Sequence, residues 1–198
     1  VLHLLPHWNL QGHEGETISV WAYSNCDEVA LYVNGKLIGR KEMPKNGHLE
    51  WETTYQPGKL KAVGYKNGKR VITKVVETTG NATQMALVAD RQAIKADGQD
   101  VAVCNIQLLD KKKRFVPTAN QRLTISISGP ATILGVGNGD PAFQAIERPT
   151  DAKATSFEVD SFNGLAQVLI QSTKEAGNIT LTISGEGIAS ATIHINAQ

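Results

Sequence analysis

Helical periodicity is what this sequence lacks most. No segment keeps apolar residues at 3.6-residue spacing, so little helix is expected. Cysteine is nearly absent too: Cys26 and Cys104 lie far apart with no metal-ligand spacing around either, and each reads as an inert, partly buried thiol. Excess charge of one sign is missing, since 20 basic residues face 19 acidic ones for a net +1. That balance offers no footprint for nucleic acid or an anionic surface, and neither is expected as a partner. The one basic run, Lys111-Lys112-Lys113-Arg114, reads as a solvated turn. No apolar run approaches the ~20 residues that span a bilayer, so no membrane partner is expected. A Gly-x-Ser-x-Gly elbow is also absent, and His194 falls in an alternating strand rather than a loop.

What is present is period-two alternation. Ile18, Val20 and Ala22 alternate with Ser19, Trp21 and Tyr23, and Val29, Leu31 and Val33 alternate with Ala30, Tyr32 and Asn34. Leu49, Trp51, Thr53 and Tyr55 continue the pattern, as do Leu123-Ile125-Ile127, Ala166-Val168-Ile170, Ile179-Leu181-Ile183 and the closing run Ile188 to Ile195. Asn34-Gly35, Asn46-Gly47, Asn67-Gly68 and Asn163-Gly164 fall between runs and supply the residues that tolerate positive φ in hairpin turns. Around Glu77 to Thr83 the alternation stops in small polar residues. The expected architecture is all-β: two tandem immunoglobulin-like antiparallel β-sandwiches, residues 1–80 and 81–198, joined there. The 198 residues suit two domains of about 100 each.

Several groups invite a chemical reading. Glu50 and Glu52 share a strand face about 7 Å apart, a separation open to a glycosidase pair, but their alternation with Leu49 and Trp51 marks a solvent face. His3, His7 and His13 lack the spacing of a metal site. Gly135-Val136-Gly137-Asn138-Gly139-Asp140-Pro141 has no Lys-Ser/Thr end for a nucleotide, and Asp140 suits Ca²⁺ only with backbone help. An irregular hairpin end with left-handed glycines is the plainer expectation. The aromatics are the most informative set. Trp51 and Tyr55 share parity with Leu49 and should face inward. Trp21 and Tyr23 should face outward or towards a neighbouring domain. With Trp8 they form the candidate interdomain or sugar contact: Trp8, Trp21 and Tyr23.

The opening His3-Leu4-Leu5-Pro6-His7-Trp8-Asn9 and the stretch Ile18 to Lys36 closely resemble the segment that follows the catalytic barrel in bacterial β-galactosidases of glycoside hydrolase family 2. Ala96 to Val103, Val116 to Asn120, Gly135 to Pro141 and Phe162 to Ala166 resemble a further C-terminal Ig-like domain of those enzymes, related in pattern to invasin/intimin-type repeats. Lys111 to Arg114 departs from the family, which usually has a glycine in that turn. The resemblance implies a parent enzyme that is a retaining glycosidase with two catalytic glutamates on its barrel. No Asn-Glu dipeptide of the kind carrying the family's acid/base occurs here, so no catalytic residue carries over. It implies a non-catalytic C-terminal region that packs against the catalytic barrel of the same polypeptide. No cofactor and no metal are expected, and the compartment is left open, with a periplasmic or secreted parent favoured over a cytoplasmic one. The alternative is a carbohydrate-binding module that anchors the enzyme to polysaccharide. An adhesion-type repeat rests on fold analogy alone.

Overall fold

The computed structural model describes residues 1–142 and 155–198. The chain divides into two compact units, Val1–Thr78 and Thr79–Gln198, and every regular element among the described residues is a strand.

In the first unit, β1 (Leu2–Leu5), β2 (Thr17–Ser24) and β5 (Leu49–Thr54) form one sheet in the order β1-β2-β5. The second sheet takes β3 (Glu28–Val33), β4 (Lys36–Glu42), β6 (Lys59–Lys66) and β7 (Lys69–Glu77) in the order β4-β3-β6-β7. All pairings are antiparallel. Alternate residues of each strand meet between the sheets, where Leu4, Val20, Ala22, Leu31, Leu49, Trp51 and Leu60 are buried. Asn34-Gly35 (φ 48° and 86°) and Asn67-Gly68 (49° and 73°) close two-residue hairpins with both residues left-handed, as their composition predicts. Asn34 also accepts the Lys59 N–H through Oδ1 at 2.7 Å and donates to the Pro57 carbonyl at 3.2 Å. Asn46-Gly47 departs from the hairpin expectation. Only Asn46 is left-handed (φ 57°), and the link from β4 to β5 passes between the two sheets instead of closing a hairpin.

The second unit is larger. One sheet runs β12 (Ala131–Gly137), β14 (Leu165–Ser172), β10 (Val101–Leu109) and β8 (Gln84–Ala89). The other runs β13 (Ser156–Asp160), β11 (Arg122–Ser128), β15 (Gly177–Gly185), β16 (Ile188–Ala197) and β9 (Ala93–Ile94), with β9 parallel to β16. The inward rows fill its core, with Ile106, Leu108, Leu123, Ile125, Val168, Ile170, Ile179, Leu181 and Ile183 fully buried.

The basic run is not wholly solvated. Lys111, Lys112 and Lys113 are exposed, but Arg114 turns back onto Asp110, which is only 2% exposed. Asp110 Oδ2 accepts from Arg114 Nε at 2.9 Å and Nη2 at 2.6 Å, and Oδ1 accepts the N–H groups of Lys112 and Arg114 at 2.8 and 3.0 Å. Burial alone would raise the pKa of Asp110. The guanidinium and the backbone donors, Gly80 among them, more than offset that and hold the carboxyl well below the usual carboxylate range. Lys113 takes the left-handed conformation (φ 61°), the backbone state that a turn glycine would adopt freely. Both cysteines are free and buried, Cys26 in the first unit and Cys104 in the second, and burial pushes the Cys104 thiol up to about 11.

Candidate functional site

The strands of the β1-β2-β5 sheet bury Leu2, Leu4, Val20, Ala22, Leu49 and Trp51 and turn their alternate residues outward. Register sets Leu5 opposite Trp21 and Trp21 opposite Glu50, so one band crosses all three strands, with His3 opposite Tyr23 beside it. Leu5, Trp21 and Tyr23 are 42%, 37% and 39% exposed. His48, just before β5, lies against both aromatics. Its ring stacks on Trp21 at 4.5 Å between centroids and lies 5.2 Å from that of Tyr23. His48 Nε2 is 2.7 Å from Glu50 Oε1, and Trp21 Nε1 donates to Ser19 Oγ at 3.0 Å. The rings are therefore held in place at the surface, and little rotamer freedom remains to be lost on contact. Such a face can cover a neighbouring protein surface or stack on a sugar ring.

Trp8 does not belong to that face. It is fully buried, makes an edge contact with Tyr55 at 5.0 Å, and donates from Nε1 to the Gln56 carbonyl at 3.0 Å. Tyr55 Oη donates to the Trp8 carbonyl at 3.3 Å and accepts the Leu10 N–H at 3.2 Å. Trp8 thus pins the segment after β1 into the core of the first unit. Lying outside any strand, it offers no alternation from which its direction could be read. Trp51 and Tyr55 face inward as their parity requires. The sequence signal for His48 is its parity with Glu50, two positions on, which puts both on the side that β5 turns outward.

The remaining candidates do not converge. Glu50 and Glu52 are both exposed. His7 Nδ1 accepts the Asn9 N–H at 3.3 Å, and burial lowers its pKa against a smaller opposing backbone hydrogen bond, whereas His13 pairs with Glu16 at 2.8 Å. Among the described residues no three His, Cys, Asp or Glu side chains are placed to hold a metal ion. The glycine-rich stretch differs from the expected irregular turn: β12 continues through Gly137, and of its three glycines only Gly139 (φ 83°) is left-handed. Asp140 Oδ1 accepts the Ala142 N–H at 2.8 Å.

Residues 85–194 match the family model described as glycoside hydrolase family 2 C-terminal domain 5. The chain belongs to glycoside hydrolase family 2. Residues 15–72 of this family 2 chain also match a domain family of unknown function. It is similar to the β-galactosidase BoGH2A of Bacteroides ovatus, with 36% identity over all of the chain and 22% of that protein. A β-glucuronidase of Formosa agariphila is 28% identical over 99% of the chain and 19% of its own length. Among solved structures, a β-glycosidase from Bacteroides vulgatus superposes with a TM-score of 0.88 at 34% identity, over 99% of this chain and 24% of that one. The chain therefore spans about a fifth of the length of these relatives, and it corresponds to the C-terminal region of family 2 enzymes.

Proposed function

We propose that this chain is the accessory, non-catalytic part of a retaining β-glycosidase, β-galactosidase-like in its substrate, whose catalytic barrel lies in the same polypeptide. The observation that carries this reading is the end-to-end match to a segment of enzymes several times longer, one of them a β-galactosidase at 36% identity. The chain's own contribution is scaffolding. On this reading the Leu5, Trp21 and Tyr23 face is the part that packs against the rest of the polypeptide. Its half-exposed apolar rings, locked by His48 and Ser19, are more costly to leave in water than to cover. The purified chain should show no turnover of nitrophenyl β-galactoside or nitrophenyl β-glucuronide, and measurable hydrolysis would overturn the accessory reading. Iodide should quench Trp21 but not Trp8 or Trp51 in this chain, and should fail to reach Trp21 in the longer enzyme. Equal quenching of Trp21 in both would remove the packing role.

A further inference from the structure

The second unit carries a groove of about 480 Å³ on the outward face of the β12-β14-β10-β8 sheet, within the ~300–1,000 Å³ of small-ligand sites. Register places Gly137, Gln167, Asn105 and Val88 in one row across the four strands, with Leu165 and Gln107 paired in the row beside it. Gln167 Nε2 donates to Asn105 Oδ1 at 2.8 Å, which leaves the Asn105 NH₂ group and the Gln167 carbonyl as an oriented donor and acceptor. Val88 and Leu165 are 52% and 41% exposed beside them. Among the described residues that line the groove, none carries a charge.

Gly137 is the informative residue. It ends a strand, its φ is not left-handed, and a Cβ built on it meets no described atom within 4 Å. Neither its φ nor any described neighbour requires glycine there, and glycine weakens a strand. Its effect is to leave the end of the row bare beside the amides, where a ligand can approach the backbone closely. We infer that this groove binds a neutral oligosaccharide, whose hydroxyl groups pair with the amides of Asn105, Gln107 and Gln167 and whose apolar ring face lies on Val88 and Leu165. Amides supply both donors and acceptors to hydroxyls, and no described lining residue offers a cation to a uronate. The inference rests on the family and on this groove, independently of any packing by the Trp21 face.

Titration of the whole chain with neutral tetrasaccharides from galactan, glucan and xylan, and with a galacturonate tetrasaccharide, tests it by nuclear magnetic resonance and calorimetry. At least one neutral probe should shift the side-chain amide signals of Asn105 and Gln167. Gly137→Val should raise the melting temperature, since a β-branched residue suits the strand, yet weaken that binding at least about tenfold by filling the row. Gln167→Ala, at an exposed position, should weaken it comparably, and Trp21→Ala should leave it unchanged. The inference is overturned if no neutral probe moves these signals, if galacturonate binds as well as the neutral probes, or if Gly137→Val and Gln167→Ala leave the affinity intact. Loss of binding on Trp21→Ala alone would overturn it too, by moving the site to the first unit.

Discussion

Asp110 is buried at the start of the turn between β10 and β11 and organises that turn. Its buried carboxylate gathers the Arg114 guanidinium and several backbone donors, which shape the turn between β10 and β11. Hydrogen bonds to a charged group contribute about 1.5–3 kcal/mol, and Arg114 keeps partial access to water, so Asp110→Asn should lower stability by roughly that amount in urea unfolding. Because the folded pKa of Asp110 lies below its unfolded value of about 3.9, its stabilisation is complete well above that value and is lost as pH falls beneath it. Between about pH 6 and pH 3 the native chain should therefore lose more stability than Asp110→Asn does. The tryptophans make a second contrast at this scale. Trp8→Ala should cost about 3–5 kcal/mol because it empties a packed site. Trp21→Ala should cost no more than about 1 kcal/mol because that ring is already partly in water.

At the scale of strands and turns, the clearest sequence signals were those carried by periodicity. Val20 and Ala22 against Trp21 and Tyr23 announced both the core and the outward aromatic face, and Asn34-Gly35 and Asn67-Gly68 announced their hairpins. The misses have physical causes. Trp8 sits on a loop where alternation says nothing, and Asn46-Gly47 resembles a hairpin turn locally although β4 and β5 pair in different sheets, a non-local fact. The short β9 lies parallel beside β16, a pairing no two-residue segment can announce. The turn after Asp110 shows how the hydrogen bonds of one buried carboxylate override a backbone preference. Lys113 holds a left-handed backbone that costs an L-residue roughly 1–2 kcal/mol, and the contacts of Asp110 hold the turn in that shape. Lys113→Gly should therefore raise stability by up to about 1 kcal/mol, part of the relief being offset by a more flexible unfolded chain. Thermal unfolding of the variant checks it, and a lower melting temperature would show that the Lys113 side chain contributes more than its backbone costs.

For the whole molecule, two β-sandwiches without a disulfide are sustained by separate cores, one built on Trp8, Trp51 and Tyr55 and the other on a layer of Ile, Leu and Val. The same division places one sequestered sulfhydryl in each half, Cys26 against the backbone of Gly64 and Cys104 in the middle of β10. A thiol that is buried, and in the case of Cys104 also raised to about 11, is shielded from alkylation until its surroundings open. Slow labelling by iodoacetamide in dilute urea, read by peptide mass, should therefore time the opening of each half separately. Prompt modification of either sulfur in the native protein would contradict the burial described above. The scarcity of cysteine thus furnishes the chain with two internal clocks, one for each sandwich.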